Sequence, residues 1–271
     1  MTTMRTHDTH PETRYFVQSV ERALRILRGF ADDPSGRNTL TQLAEATGLS
    51  KPTVRRFLLT LRDLGYLEAF DRQYRLTPKV LEIGFAFLAG LDFPRRAQPL
   101  LERLSERAGE STNMTILDGT EIVYVARVAV KRIISTNILL GSRLPAYCTS
   151  LGKVLLANLS NEEIIRRYDG VTLKAYTPST ITGLDELLTH LREVRREGYA
   201  INNEELELGL RSVAAPIHDV GGKVIASVNL SSSVSRVSLA KLRDEFLPLL
   251  LETAREISKA LGFGVHTPPL Q

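Results

Sequence analysis

The chain has 271 residues, 43% hydrophobic and 24% charged, with a formal net charge of +4, which is enough apolar material for two ordinary cores and too little length for a third. Its single cysteine, Cys148, excludes an internal disulfide and a zinc ribbon and suits a reducing compartment. No apolar run reaches the roughly 18 residues of a membrane span, and residues 1–14 are polar in place of a charged-then-apolar leader. The expectation is a soluble cytoplasmic protein that needs no cofactor, metal or membrane. Residues 1–14 read as a disordered tail in which His7 and His10 are solvated.

After that tail, Ser19 is placed to cap a helix with Val20, Ala23, Leu24, Leu27 and Phe30 along one side, ending near Asp32-Asp33-Pro34-Ser35-Gly36. Arg14, Gln18, Arg22 and Arg25 form its polar side, available to phosphates, to a second subunit or only to water. Thr39 and Gln42 make a Thr-x-x-Gln capping box that opens a short second helix. Leu40, Leu43, Ala44 and Ala46 supply its apolar side, and Gly48 closes it. Ser50 caps a third helix, and Pro52 sits in its first turn, where N–H groups have no intrahelical partner. Val54, Phe57, Leu58, Leu61 and Leu64 recur at helical spacing toward the core. The other face carries Lys51, Thr53, Arg55, Arg56 and Arg62, with no acid between Lys51 and Arg62.

Tyr66 to Phe70 and Tyr74 to Thr77 then read as strands of a hairpin turned by Asp71-Arg72-Gln73, with Arg72 and Arg75 near its tip. Each of these features taken singly is an ordinary solvated face. In this order they make a winged helix-turn-helix, whose second helix enters the major groove of duplex DNA. Lys51, Thr53 and Arg56 are the candidates for base edges, and Thr39, Arg55, Arg72 and Arg75 for phosphates. From Arg14 to Pro78, eleven Lys and Arg stand against seven Asp and Glu, an excess of four that equals the charge of the whole chain and suits sequence-directed duplex binding.

Pro78 begins a helix through Leu81, Ile83, Phe85, Phe87 and Leu88 whose apolar positions spread around more than one face, so it calls for cover on several sides, including a partner chain. Gly90 and Pro94 mark a boundary before a helix over Ala97 to Arg107. Ser111 to Leu117 and Ile122 to Val128 read as strands joined at Asp118-Gly119, and Ile133 to Leu139 as a third strand. Leu144 to Leu151 reads as a loop entering a helix over Gly152 to Asn158, followed by helices at Asn161 to Tyr168 and Leu184 to Glu197. Tyr199 to Asn202, Ser212 to Ile217 and Lys223 to Ser231 return as strands. A long amphipathic helix with Leu242, Phe246, Leu249, Leu250, Ile257 and Leu261 closes the chain. The natural assembly is an antiparallel sheet with helices on its faces, hence an α+β chain overall.

Enzyme chemistry finds no support. Gly152-Lys153 lacks the spaced glycine and the following hydroxyl of a phosphate loop, and no His-Glu-x-x-His, Gly-x-Ser-x-Gly or Gly-x-Gly-x-x-Gly pattern occurs. Cys148 reads as a small packed residue, since nothing beside it in sequence lowers a thiol pKa.

Three segments carry a family resemblance. Leu40 to Leu67 (LTQLAEATGLSKPTVRRFLLTLRDLGYL), Leu144 to Lys153 (LPAYCTSLGK), and Glu204 to Ile217 (EELELGLRSVAAPI) followed by Val228-Asn229-Leu230-Ser231 resemble the IclR family of bacterial transcriptional regulators, over Tyr15 to Leu261. Arg55 to Leu61, Tyr124 to Arg127 and Phe246 to Pro248 are similar to the subgroup controlling protocatechuate, β-ketoadipate and 4-hydroxybenzoate pathways. The resemblance implies a winged helix-turn-helix domain (15–77), a linker helix (78–92), a GAF-like antiparallel-sheet effector domain (93–263) and a tail (264–271). It also implies a homodimer or tetramer, a DNA operator, a small organic acid as effector, and RNA polymerase as a candidate contact.

Tyr147, Thr149, Ser150, Asn202, Glu204, Ser212, Asn229 and Ser231 fall where the family lines its effector cavity, and Arg127 could add a bidentate charge. Hydroxyls, amides and a helix N-terminus suit a carboxylate. Asn202-Asn203 is neutral where many members carry an acid, which favours an anionic ligand. An IclR-type regulator of another carbon-source pathway and a ligand-independent architectural DNA-binding protein remain open alternatives.

Overall fold

The structure is a computed structural model that describes residues 15–31, 33, 35–130 and 138–264. It divides into two compact units, Met1–Gly90 and Leu91–Gln271.

The first unit contains helix α1 (Gln18–Arg28), strand β1 (Arg37–Thr39), helices α2 (Leu40–Thr47) and α3 (Lys51–Asp63), and strands β2 (Leu67–Phe70) and β3 (Gln73–Leu76). The capping box of α2 is reciprocal: Gln42 N donates to Thr39 Oγ1 at 3.3 Å, and Thr39 N donates to Gln42 Oε1 at 2.8 Å. Gly48 ends that helix at φ 66°, a left-handed conformation that glycine adopts without Cβ penalty. Ser50 Oγ accepts from Thr53 N at 3.4 Å to open α3. Ile26, Phe30, Leu43, Val54, Leu58, Leu61 and Leu67 close a small core between the three helices and the sheet.

Several local expectations change. Ser19 lies inside α1, whose N-cap position is Val17 without a side-chain cap. The core side of α1 runs through Ile26 and Phe30, leaving Val20 and Leu24 exposed beside Tyr15, Phe16 and Val17. On α2 Thr47 is buried with Leu43 and Ala44 while Ala46 is exposed, because Thr47 Oγ1 returns its hydrogen bond to Leu43 O and can be buried at no polar loss. Leu64 is the C-cap of α3 and faces solvent. The wing gains a third strand, β1, in the order β1-β3-β2. Its turn is shorter than expected: Gln73 pairs with Phe70, so only Asp71 and Arg72 turn the chain, at φ 44° and 65°.

A single 3₁₀ turn (Pro78–Val80) precedes helix α4 (Leu81–Leu91), on which no residue is buried; Leu81, Ile83, Phe85 and Phe87 are all exposed.

The second unit begins with helix α5 (Phe93–Ala108), one turn earlier than its apolar spacing indicates. It continues through strands β4 (Ser111–Asp118), β5 (Glu121–Val128) and β6 (Arg143–Pro145), helices α6 (Ser150–Ala157), α7 (Asn161–Arg167) and α8 (Leu184–Glu197), and strands β7 (Ala200–Asn203), β8 (Leu210–His218) and β9 (Val224–Ser233). The short helix α9 (Leu239–Lys241) leads through one π-turn (Leu242–Phe246) into α10 (Leu247–Ala260). The strands form one antiparallel sheet in the order β6-β5-β4-β9-β8-β7. Residues 133–137 of the expected third strand lie outside the described residues, and the short strand that follows β5 is β6, within what reads as a loop.

Both faces of the sheet are covered. Arg211 to Ala215 of β8 are buried without a gap, which a sheet with one wet face would not allow. Helices α5 and α10 pack on each other and on the sheet, joined by the ion pairs Arg103–Glu256 and Arg107–Glu252. Helix α6 packs on β4, β8 and β9 and on α8, burying all eight of its residues. Its entry depends on Gly152: a Cβ there would stand 2.2 Å from Ala146 O and 2.3 Å from Ala146 Cα. No other residue lets the first turn of α6 lie against the 146–149 loop.

Candidate DNA-binding and effector sites

In the first unit, α3 turns Val54, Leu58 and Leu61 inward, and the 3.6-residue period places Lys51, Arg55, Arg56 and Arg62 on its outer side. Lys51, Pro52, Arg55 and Arg56 border an open concavity with Leu40. Lys51, Arg55, Arg56 and Arg72 make no ion pair among the described residues, whereas Arg62 pairs with Asp63 at 2.8 Å. The helix therefore presents three cations without local neutralisation. Thr53 is half-buried, and its hydroxyl hydrogen-bonds Ser50 Oγ at 2.8 Å. Thr39 spends its hydroxyl on the capping box, and Arg75 pairs across the wing with Glu68. Those last two are less available than their sequence positions imply, because each already has a local partner. Arg72 stands at the tip of the wing, and Arg37 of β1 lies 6.0 Å from the centroid of the exposed Phe70 ring.

In the second unit, the face of the sheet toward α6 is polar in a regular way. Ser227, Asn229 and Ser231 alternate on β9; Asn113 and Thr115 stand opposite them on β4, and Ser212 faces Ser231 on β8. Asn113 Nδ2 donates to Asn229 Oδ1 at 2.8 Å, Thr115 and Ser227 hydroxyls lie 3.0 Å apart, and Ser150 and Ser212 hydroxyls 2.7 Å apart. Between this face and the first turn of α6 is a cavity of about 110 Å³. Of the residues the sequence nominates, Thr149, Ser150, Asn202, Ser212, Asn229 and Ser231 all line it.

The remaining three do not. Tyr147 lies in the apolar core beneath the loop, its OH donating to Lys174 O at 2.6 Å and its ring edge-on to Tyr168. Glu204 sits at φ 62° and closes its own turn by accepting from Gly209 N at 2.8 Å; the acid that reaches the cavity is Glu207. Arg127 lines a wider concavity of about 390 Å³ that shares Asn113, Ile138, Glu207, Leu210 and Ser231 with the inner one and so forms its mouth. Burial lowers the Arg127 pKa, with Tyr124 opposing.

Asn113 escapes a sequence reading. It looks like any polar residue in a strand, and only the register that sets it across from Asn229 gives it a role. Its Oδ1 is buried with no hydrogen-bond partner, a deficit that an entering donor can remove. Thr149 has less to offer a ligand, since its hydroxyl accepts from Gly152 N at 3.1 Å as the cap of α6 and donates to Pro145 O and Ala146 O. Asn202 Nδ2 donates to Cys148 O at 2.6 Å and ties β7 to the 146–149 loop. Burial pushes the Cys148 thiol up to about 12, with the Glu205 carboxylate adding to the rise, so it remains a neutral packed group. Burial also raises the Tyr124 phenol to about 12. The inner cavity thus offers neutral hydroxyls and amides, with fixed charge at Glu207 and at its mouth. No group of three or more potential metal ligands occurs among the described residues.

Comparison with known proteins agrees with both units. Residues 19–69 match the IclR helix-turn-helix domain, and residues 85–259 match the bacterial transcriptional regulator IclR C-terminal domain. The Pca regulon regulatory protein of Pseudomonas putida is 39% identical over 250 residues, covering 92% of this chain and 85% of that protein. This chain belongs to the IclR family of bacterial transcriptional regulators. It is therefore a DNA-binding regulator and not an enzyme. A solved protein from Rhodococcus sp. RHA1 superposes with a TM-score of 0.80 at 46% identity, covering 91% of this chain and 98% of that one. The inducer-binding domain of a PobR double mutant from Acinetobacter, solved as a complex with 3-hydroxybenzoic acid, superposes with a TM-score of 0.58 at 38% identity, covering 61% of this chain and 97% of that one. No helix among the described residues is long and apolar enough to cross a membrane.

Proposed function

We propose that this IclR regulator controls an aromatic-acid catabolic operon and that a small organic acid of that pathway, protocatechuate, β-ketoadipate or a related acid, binds in the cavity between the sheet and α6. The observation that carries the reading is the lining itself. A domain that served only to oligomerise would gain nothing from burying Ser150, Ser212, Asn113 and Asn229 around a cavity. The acid's carboxylate is directed to the N–H groups that open α6 and to the Ser150 and Ser212 hydroxyls, with Arg127 at the mouth favouring an anion on approach. The relative named for the Pca regulon supports the pathway, and the PobR domain solved with 3-hydroxybenzoic acid supports an organic acid as ligand.

The winged helix-turn-helix occupies residues 15–77, with Lys51, Thr53 and Arg56 at base edges and with Arg55, Arg72 and, once released from their local partners, Thr39 and Arg75 at phosphates. Residues 78–92 link it to an effector domain over residues 93–263. The exposed Leu81, Ile83, Phe85 and Phe87 of the linker helix suit cover by a second copy of the chain, so the regulator works as a homodimer, or as a pair of dimers, in the cytoplasm. Acid binding then changes operator occupancy or contact with RNA polymerase, and any effect on occupancy is reciprocal: operator must change acid affinity by the same factor.

A thermal-shift panel with protocatechuate, 4-hydroxybenzoate, catechol, muconate, β-ketoadipate and pyruvate tests this directly, because a ligand specific to the native state raises the melting point. A rise with one aromatic-pathway acid that is lost in Asn229→Ala supports the reading. A rise with pyruvate alone would assign another carbon-source pathway, and a flat panel would leave a ligand-independent DNA-binding protein.

A further inference from the structure

One buried charge pair stands just outside the cavity lining. Lys153 Nζ donates to both carboxylate oxygens of Glu205, at 2.5 and 2.6 Å, and the two side chains are 0% and 10% exposed. Stability alone does not account for such a pair, since desolvating both charges consumes most of their attraction and an apolar pair of the same volume commonly packs as well. What an ion pair does, and an apolar pair does not, is fix one atom against another.

The two residues come from opposite walls of the effector cavity. Lys153 is one turn into α6, two residues after Leu151, which lines one wall with Thr149 and Ser150. Glu205 belongs to the turn between β7 and β8, next to Leu206 and Glu207 of the other wall. That turn is conformationally demanding: Glu204 and Gly209 have φ 62° and 82°, and Leu208 at its apex is 68% exposed. Thr177 Oγ1 and Thr180 Oγ1 each donate at 2.6 Å to the carbonyls of Glu204 and Glu205, holding the backbone toward residues 177–180. Among the side-chain hydrogen bonds of the described residues, it is the Lys153 contact that ties this turn to α6.

We infer that the Lys153–Glu205 pair is a cross-brace that holds the 204–209 turn against α6 and so sets the width of the effector cavity. Both are positioning residues, and neither touches the ligand. The consequence for affinity rests on the effector reading above, whereas the bracing itself does not. Burial lowers the Lys153 pKa and raises that of Glu205, in each case against the partner's opposing charge, so each depends on the other to remain ionised.

The test uses the full chain and two variants, Lys153→Met/Glu205→Met, which leaves no stranded charge, and Glu205→Asp, which keeps both charges but shortens the arm by one methylene. Hydrogen exchange of the ligand-free protein reads the brace. The expected result is a melting point close to that of the unmodified chain in the double variant, with amides of residues 204–209 exchanging at least tenfold faster while those of β9 keep their protection. Glu205→Asp should speed the same amides and spare the same strand. Unchanged protection of 204–209 in both variants would overturn the brace.

A titration with the panel acid that raises the melting point of the unmodified chain then reads the consequence. At least a tenfold loss of affinity in the double variant supports control of cavity width, and undiminished affinity alongside faster exchange overturns it. Failure of the unmodified chain to bind any of the panel acids would instead sink the effector reading, with hydrogen exchange still deciding the brace.

Discussion

The outer face of α3 and the inner face of the six-stranded sheet are both rich in polar residues, yet they are built on opposite terms. On α3, Lys51, Arg55 and Arg56 are exposed and have no ion-pair partner among the described residues, so their work lies outside the molecule. In the cavity, Ser150, Ser212, Asn113 and Asn229 are buried and bonded to one another, so a ligand has to enter an existing network. Changing the first set should alter binding without altering stability, and changing the second should alter both.

The largest effect is expected inside. Lys153→Met leaves the Glu205 carboxylate buried without its partner and should lower unfolding free energy by about 3–5 kcal/mol, read as a fall in the urea midpoint. A midpoint unchanged from the unmodified chain would break the contrast at its strongest point. Gly152→Ala drives a methyl into the Ala146 backbone. Displacing the loop should cost roughly 1–3 kcal/mol or more and weaken acid binding, because Thr149 and Ser150 move with it; calorimetry on the purified variant would detect both losses.

Outside, Arg56→Ala should leave the melting point within error while weakening operator binding by about 1–3 kcal/mol and relaxing preference at one base position. A selection on randomised duplexes reads that position; equal losses on operator and random DNA would remove Arg56 from the base-reading set. Arg72→Ala at the wing tip should weaken all duplexes alike and reduce the slope of log affinity against log salt by about 1.

A separate expected effect is a pH dependence. His190 is half-buried, and its pKa is lowered to about 4 by burial, with Lys153 adding to the effect. An unfolded histidine, near 6.5, takes up a proton that the folded one refuses, so stability is full above that pH and falls as pH drops toward about 4. His190→Gln should flatten the melting-point profile over that window, and an unaltered slope would assign it to other groups.

The helix-turn-helix was largely legible because its signals are local. Capping at Thr39 and Ser50, the left-handed Gly48 and the spacing of Val54, Leu58 and Leu61 are satisfied within a few residues of each other. That unit departs from its local signals where a distant partner decides: β1 exists only because Arg37 to Thr39 pairs with β3, and the buried stripe of α1 follows the surface it meets. The lining of the cavity was legible as a set of positions but not as a geometry. Tyr147 and Glu204 adjoin cavity residues in sequence, yet Tyr147 turns into the apolar core and Glu204 closes its own turn.

By itself, then, the sequence determined the order and type of most elements, the cationic face of α3 and the polar alternation of β9, since all three depend on residue type and period over short stretches. Tertiary structure decided what lies opposite what. The register that sets Asn113 against Asn229, the close approach that requires Gly152, and the meeting of Lys153 with Glu205 across 52 positions of chain are each fixed by the packing of α6 on an assembled sheet. No periodicity in the chain encodes such pairings, because each is a contact between segments whose separation only the fold removes.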